Sequence, residues 1–150
     1  PVFIFILDRI SKIYVINLSK NSFDTELFSS KYLNITLIWN EGIAFGLFSF
    51  EEKILYNFIT VIIGIVIMII IWLMLKAKGL EKYSFIMVLG GSLGNIFDRL
   101  TYSAVPDFID FHINGYHWFI FNVADIFVTV GILCLIFDEM FINSKKNEKI

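Results

Sequence analysis

Four aspartates, Asp98, Asp107, Asp110 and Asp125, follow one another in the second half of a mostly apolar chain. Asn95 stands three residues before Asp98, and Asn122 three residues before Asp125, so on a helix each amide shares a face with its carboxylate. Two carboxylates held close together do not both ionise cheaply: one gains affinity for a proton, and the pair shares it. The ionised partner then takes a proton from water while the neutral one donates to a carbonyl oxygen. Such a pair hydrolyses a peptide bond without metal, serine or cysteine. Asp125 is the most telling of the four. It lies inside an apolar run, where an unpaired ionised aspartate costs on the order of 3 kcal/mol, so a carboxylate there is paired or functional. Residue spacing does not choose between Asp98 and Asp107 as its companion.

The other polar residues have plainer readings. Asp8 and Lys12 are spaced i, i+4 and read as an intrahelical ion pair. Asp98, next to Arg99, reads as a structural cap of the third span at the membrane interface, and Asp110 as a solvated residue. His112 and His117 lack the spacing of a zinc-protease helix and read as interfacial histidines, so no metal or other cofactor is expected. Ser11 and Lys12 are helix neighbours that project in different directions, which removes a serine–lysine peptidase. The single Cys134 excludes an internal disulfide and reads as inert packing.

The elements that must position these groups are set by composition. Of the 150 residues, 57% are hydrophobic and only 17% charged, with a mean hydropathy of +0.76. That is a membrane composition, in a chain sized for one domain spanning 1–150. A net charge of -2 with no basic block excludes a nucleic-acid partner. Four apolar segments stand out, at residues 2–18, 54–75, 83–97 and 118–137. The second is uncharged and long enough to cross a hydrocarbon core of about 30 Å. No cleavable signal peptide is expected, because Asp8, Arg9 and Lys12 interrupt the first segment. That segment looks clipped, which predicts residues preceding Pro1.

Lys76, Lys78 and Lys82 lie between the second and third segments, and Lys145, Lys146 and Lys149 in the tail, whereas residues 101–117 hold no Lys or Arg. The positive-inside tendency then puts both termini in the cytoplasm and Asn95, Asp98, Arg99, Asn122 and Asp125 near the outer face. Between the first two segments, Leu33, Ile35, Leu37 and Trp39 fall on one side and Asn34 and Thr36 on the other, a half-buried strand at the membrane surface. The predicted fold is an all-α membrane protein, a four-transmembrane-helix bundle with a small extracytoplasmic β element between helices 1 and 2. Gly90, Gly91 and Gly94 would let helices approach closely.

Five motifs resemble one known family. They are Asp8-Arg9-Ile10-Ser11-Lys12; Asn40-Glu41-Gly42-Ile43-Ala44-Phe45-Gly46; Gly90-Gly91-Ser92-Leu93-Gly94-Asn95-Ile96-Phe97-Asp98-Arg99; Val105-Pro106-Asp107-Phe108-Ile109; and Phe121-Asn122-Val123-Ala124-Asp125. In this order they resemble the lipoprotein signal peptidases (signal peptidase II) over nearly the whole chain. Ser103 stands where that family usually has glycine. The resemblance implies a bacterial inner-membrane enzyme with its active site toward the outer leaflet. It would remove signal peptides from prolipoproteins by cutting before the diacylglyceryl-modified cysteine. It also implies Asp107 and Asp125 as the catalytic pair, with Asn95, Asp98, Arg99 and Asn122 supporting them. Asn40 and Gly42 would face substrate, and Asp8 and Lys12 would brace the first span. Partners are expected to be prolipoprotein substrates and membrane lipids, with the chain acting as a monomer.

Two other classes use some of these features. A proton-coupled transporter would need a polar path through the inner half of the membrane, where the second and fourth segments are apolar. A non-catalytic membrane scaffold gives no account of Asp125.

Overall fold

The computed structural model describes residues 1–20, 26–41 and 51–143. Among the described residues there are four helices: α1 (Val2–Lys20), α2 (Glu51–Lys76), α3 (Gly79–Tyr102) and α4 (Val123–Phe137), the last continued by a π-helical turn over Asp138–Asn143. Four strands accompany them: β1 (Glu26–Ser29), β2 (Leu33–Asn40), β3 (Val105–Ile113) and β4 (Tyr116–Phe121).

The helices are inside-out relative to a water-soluble protein. On α1 the buried stripe is Ile4, Asp8, Lys12 and Val15, while Phe3, Ile6, Ile10 and Ile13 point outward. Among the described residues the largest fully buried side chains are Lys12, Asn122, Asp8, Asp98, Pro106 and Ser84, and all but Pro106 are polar. In water this arrangement would expose apolar surface and bury charge, both unfavourable. A hydrocarbon surround reverses the first cost, and pairing of the charges answers the second. Among the described residues one helix, α2, has a stretch long and apolar enough by itself to cross a membrane, Tyr56–Lys76 at mean hydropathy 3.1. The charges of α1 and α3 and the shortness of α4 keep those helices from reading the same way.

Apolar packing joins α2 to α3 through a core of Ile67, Ile70, Ala77, Phe85, Val88 and Leu89. Helix α3 then lies against α1 and α4 along its glycines. A Cβ on Gly90 would sit 2.7 Å from the Ile4 Cβ, and one on Gly91 would strike the Ala124 carbonyl oxygen. The glycine set is thus a packing device, as expected, and it lets α3 bring Asn95 and Asp98 up to the other two helices.

The β structure is larger than the predicted element. All four strands form one antiparallel sheet in the order β1-β2-β3-β4, so the segment between α3 and α4 contributes half of it. Residues 118–121, expected to open the fourth span, belong to β4 instead. The reason is local. Asn114 (φ 51°) and Gly115 (φ 79°) take up the left-handed conformations that a two-residue hairpin requires, and Ile113 pairs with Tyr116 across it. Ser103 ends α3 at φ 56°, ψ 19°, its N–H bonded to the Arg99 carbonyl at 3.1 Å. A glycine is the natural residue for that left-handed cap, and serine holds it here at a steric cost.

Candidate active site

Strand register decides where Asp107 goes. Ile38 of β2 pairs with Asp107, and Asn40 pairs with Val105 beside it. The Asn40 amide consequently reaches Asp107 and donates Nδ2–H to Oδ2 at 2.8 Å. From the other side Asn122 donates Nδ2–H to Asp107 Oδ1 at 2.6 Å. Asp107 is 4% exposed.

Asn122 is also the N-cap of α4. Its Oδ1 accepts the Asp125 N–H at 3.1 Å, and its own backbone N–H donates to Asp125 Oδ2 at 3.1 Å, a complete capping box. One buried asparagine therefore holds Asp107 with its side chain and Asp125 with both side chain and backbone. The second Asp125 oxygen, Oδ1, accepts from Asn95 Nδ2 at 2.7 Å. Asp125 stands in the first turn of α4, where the helix dipole favours negative charge. An apolar groove of about 230 Å³ reaches it, lined by Phe119, Phe121, Asp125, Ile126, Thr129 and Val130.

Burial pushes the Asp107 carboxyl above its ordinary value. The amide donors of Asn40 and Asn122 oppose that shift, the charge of Asp125 adds to it, and Lys12 opposes it. The two aspartates are thus electrostatically coupled, with desolvation favouring a proton on Asp107.

Behind this pair sits a charge cluster. Lys12 Nζ donates to Asp98 Oδ2 at 2.6 Å, Asn95 Oδ1 at 2.9 Å and Asp8 Oδ1 at 3.0 Å. Arg9 bonds both oxygens of Asp98, through Nη1 to Oδ1 and through Nη2 to Oδ2 at 2.7 Å, and its Nη2 also reaches Asp8 Oδ2 at 2.7 Å. Asp8 Oδ1 further accepts the Ala124 N–H at 3.1 Å. Two anions and two cations cancel, as burial demands.

The expected Asp8–Lys12 pair is present, but it is one edge of a four-residue cluster. Asp98, expected to cap α3 at the interface, is fully buried instead. Consecutive residues leave a helix about 100° apart, so Asp98 turns inward to Arg9 and Lys12 while Arg99 turns to α2. There the Arg99 guanidinium lies over the Tyr56 ring, 5.4 Å from its centroid, with Nη1 buried and unpartnered among the described residues. Asp110, expected in solvent, is buried, because β2 and β4 flank it; its Oδ2 meets His117 Nδ1 at 2.8 Å. His112 bonds Asn34 Oδ1 through Nε2 at 3.0 Å. Gly42 lies outside the described residues. Arg9 is the residue that sequence reasoning passed over. Its signal was available: a third charge on a short apolar helix, which a bilayer tolerates only with a partner.

The sequence profile of the family described as Signal peptidase (SPase) II matches residues 1–141. The chain is 50% identical over 147 residues to a lipoprotein signal peptidase of Pelagibacter ubique (strain HTCC1062), covering 97% of this chain and 89% of that protein. It is 36% identical over 144 residues to the lipoprotein signal peptidase of Anaplasma marginale (strain Florida), covering 96% and 84%. A solved bacterial membrane enzyme, obtained by the in meso method, superposes with a TM-score of 0.77 at 30% identity, covering 97% of this chain and 87% of that one. With four of its five motifs and Asn40 of the fifth gathered around one buried polar centre, and with residues 1–141 matched to the family, this chain belongs to the signal peptidase II family of proteases.

Proposed function

We propose that the chain is an intramembrane aspartyl endopeptidase that removes signal peptides from bacterial prolipoproteins, cutting before the diacylglyceryl-modified cysteine. Asp107 and Asp125 are its catalytic pair. One observation carries the reading: Asn122 bonds both carboxylates at once, Asp107 through its side-chain amide and Asp125 through its backbone N–H, which ties both to one residue. Desolvation favours a proton on Asp107, and Asp125 stands in the first turn of α4. In the first step Asp125 takes a proton from water as the water oxygen bonds to the scissile carbonyl carbon. Asp107 gives its proton to the carbonyl oxygen, forming a tetrahedral diol. In the second step Asp107 takes a proton back from that diol and Asp125 delivers its own to the departing nitrogen. The C–N bond breaks, and both carboxyls return to their starting states.

The enzyme is a four-span protein of the cytoplasmic membrane with both termini cytoplasmic and the aspartates toward the outer leaflet. The outward apolar faces of the helices support the embedding, and the lysines after α2 support the orientation. The groove at Asp125 runs past the exposed apolar Ile126 and Val130 of α4, which suits a substrate whose acyl chains stay in the bilayer. The sheet then lies at the outer surface with Asn40 toward the peptide, and the chain works as a monomer.

The test is cleavage of a diacylated lipopeptide by protein in lipid bicelles. Asp107→Asn and Asp125→Asn each abolish cleavage while the protein still inserts; full activity in either refutes the assignment. Topology is checked at Tyr116, which is exposed near the hairpin tip. In a Tyr116→Cys, Cys134→Ser chain an impermeant thiol reagent labels from outside the cell, and labelling from the cytoplasmic side alone overturns the orientation.

A further inference from the structure

A side chain of α3 joins the charge cluster to the catalytic pair, beside the Asp8–Ala124 bond that ties the cluster to the start of α4. Asn95 accepts from Lys12 with Oδ1 and donates to Asp125 with Nδ2, so it links the two. Its amide has only one workable orientation. An ammonium can only donate, and an ionised carboxylate can only accept. A flipped Asn95 would press its NH₂ group against Lys12 and its oxygen against Asp125. With Lys12 in place, the amide must therefore present an N–H to Asp125.

Lys12 is itself held without freedom. It is 1% exposed, and its three N–H groups are used by Asp98, Asp8 and Asn95. Arg9 bonds both oxygens of Asp98 and one of Asp8, so Lys12 is not the sole counter-charge to two buried carboxylates. The ammonium can spend one donor on a neutral amide.

We propose that Lys12 is a positioning residue for the reaction: it sets the orientation of Asn95, which in turn aims Asp125. Arg9 supports it by sharing the neutralisation of Asp8 and Asp98. This rests on the reading of Asp107 and Asp125 as the catalytic pair, and it goes beyond an ion pair that braces α1. A brace acts on folding. A positioning residue acts on turnover, through Asn95, with little effect on how tightly substrate is held.

The experiment is a double-mutant cycle on purified protein in bicelles with the diacylated lipopeptide. Asp8→Asn and Lys12→Met are combined so that one anion and one cation leave together and Arg9–Asp98 remains a neutral pair. We expect this chain to lose kcat by about tenfold to a hundredfold, the scale of a misaimed catalytic group, with KM within about twofold. Asn95→Ala is expected to lose a similar factor, and adding it to the Asp8→Asn, Lys12→Met chain to cost less than about twofold more, because both changes break the same link. Near-wild-type kcat in the folded Asp8→Asn, Lys12→Met chain, losses that multiply, or a loss confined to KM overturns the proposal.

A second arm leaves Asp8, Arg9, Lys12 and Asp98 unchanged, in case the combined variant does not fold. Asn95→Asp faces Asp125 with an oxygen in place of an N–H and should fall below Asn95→Ala in kcat; equal or higher turnover overturns the proposal. Activity in Asp107→Asn would instead sink the catalytic assignment, whatever Lys12 does.

Discussion

Replacing Asn122 separates its two duties, because the cap and the contact with Asp107 use different atoms. Asn122→Ala removes both. Loss of the N-cap costs about 1 kcal/mol, and an unpaired buried Asp107 oxygen about 1–3 kcal/mol more, so roughly 2–4 kcal/mol of stability should go. Asn122→Ser keeps an oxygen for the Asp125 N–H but is too short to reach Asp107. It should recover the cap, about 1 kcal/mol relative to alanine, and regain no turnover.

The same variant moves the pH profile in a definite direction. The Asn122 amide opposes the upward shift of Asp107, so without it Asp107 keeps its proton to higher pH. A hydrogen bond to an ionised acceptor is worth about 1.5–3 kcal/mol and to a neutral one about 0.5–1.5 kcal/mol. The difference of about 1–1.5 kcal/mol corresponds to about one pH unit at 1.36 kcal/mol per unit. The alkaline limb of kcat, which reports the coupled pair, should move up by about that amount. The assay is lipopeptide cleavage by purified protein in bicelles across about pH 5 to 10, alongside thermal melting. An alkaline limb that stays put or moves down in Asn122→Ser would refute the placing of the shared proton on Asp107.

Three further outcomes follow from the geometry. Asp107 holds its proton more tightly in the folded chain than at its ordinary value of 3.8, so the stability this group contributes is complete below that value and is lost as pH rises through the folded one. Asp107→Asn should therefore melt above wild type at pH 8, with the gap closing toward pH 4; a variant that melts lower at pH 8 contradicts the sign. Asp98→Asn leaves Arg9 and Lys12 with one buried carboxylate between them, costing about 3–5 kcal/mol, and should lower both protein level and activity. If it is silent in both, Asp98 has no supporting role. Ser103→Gly relaxes the left-handed cap of α3 and should raise stability by about 0.5–1 kcal/mol without changing turnover, and a drop in melting temperature would count against strain there.

The amino-acid sequence determined the class of this protein and most of its polar centre. An aspartate inside an apolar run has to be paired or used, so Asp125 was legible from composition alone. The i, i+3 spacing of Asn122 and Asp125 is the capping box of α4, because three residues is the reach of an N-cap to its first turn. The Gly90, Gly91 and Gly94 set announced close helix packing for the same kind of reason, since a missing Cβ is a property of the residue itself. The Asn114-Gly115 hairpin was equally local and could have been read, and with it the strands that residues 101–121 supply.

What tertiary structure decided is every choice between equivalent charges. Asp98 and Asp107 are indistinguishable by spacing; the β2–β3 register puts one beside Asn40 and Asn122, and the turn of α3 puts the other against Arg9 and Lys12. Arg9 and Asp98, or Ala124 and Asp8, meet only after three helices have packed along α3's glycines. A sequence states which groups are costly to bury. Which partner answers each cost depends on distances between segments far apart in the chain, and packing alone sets those.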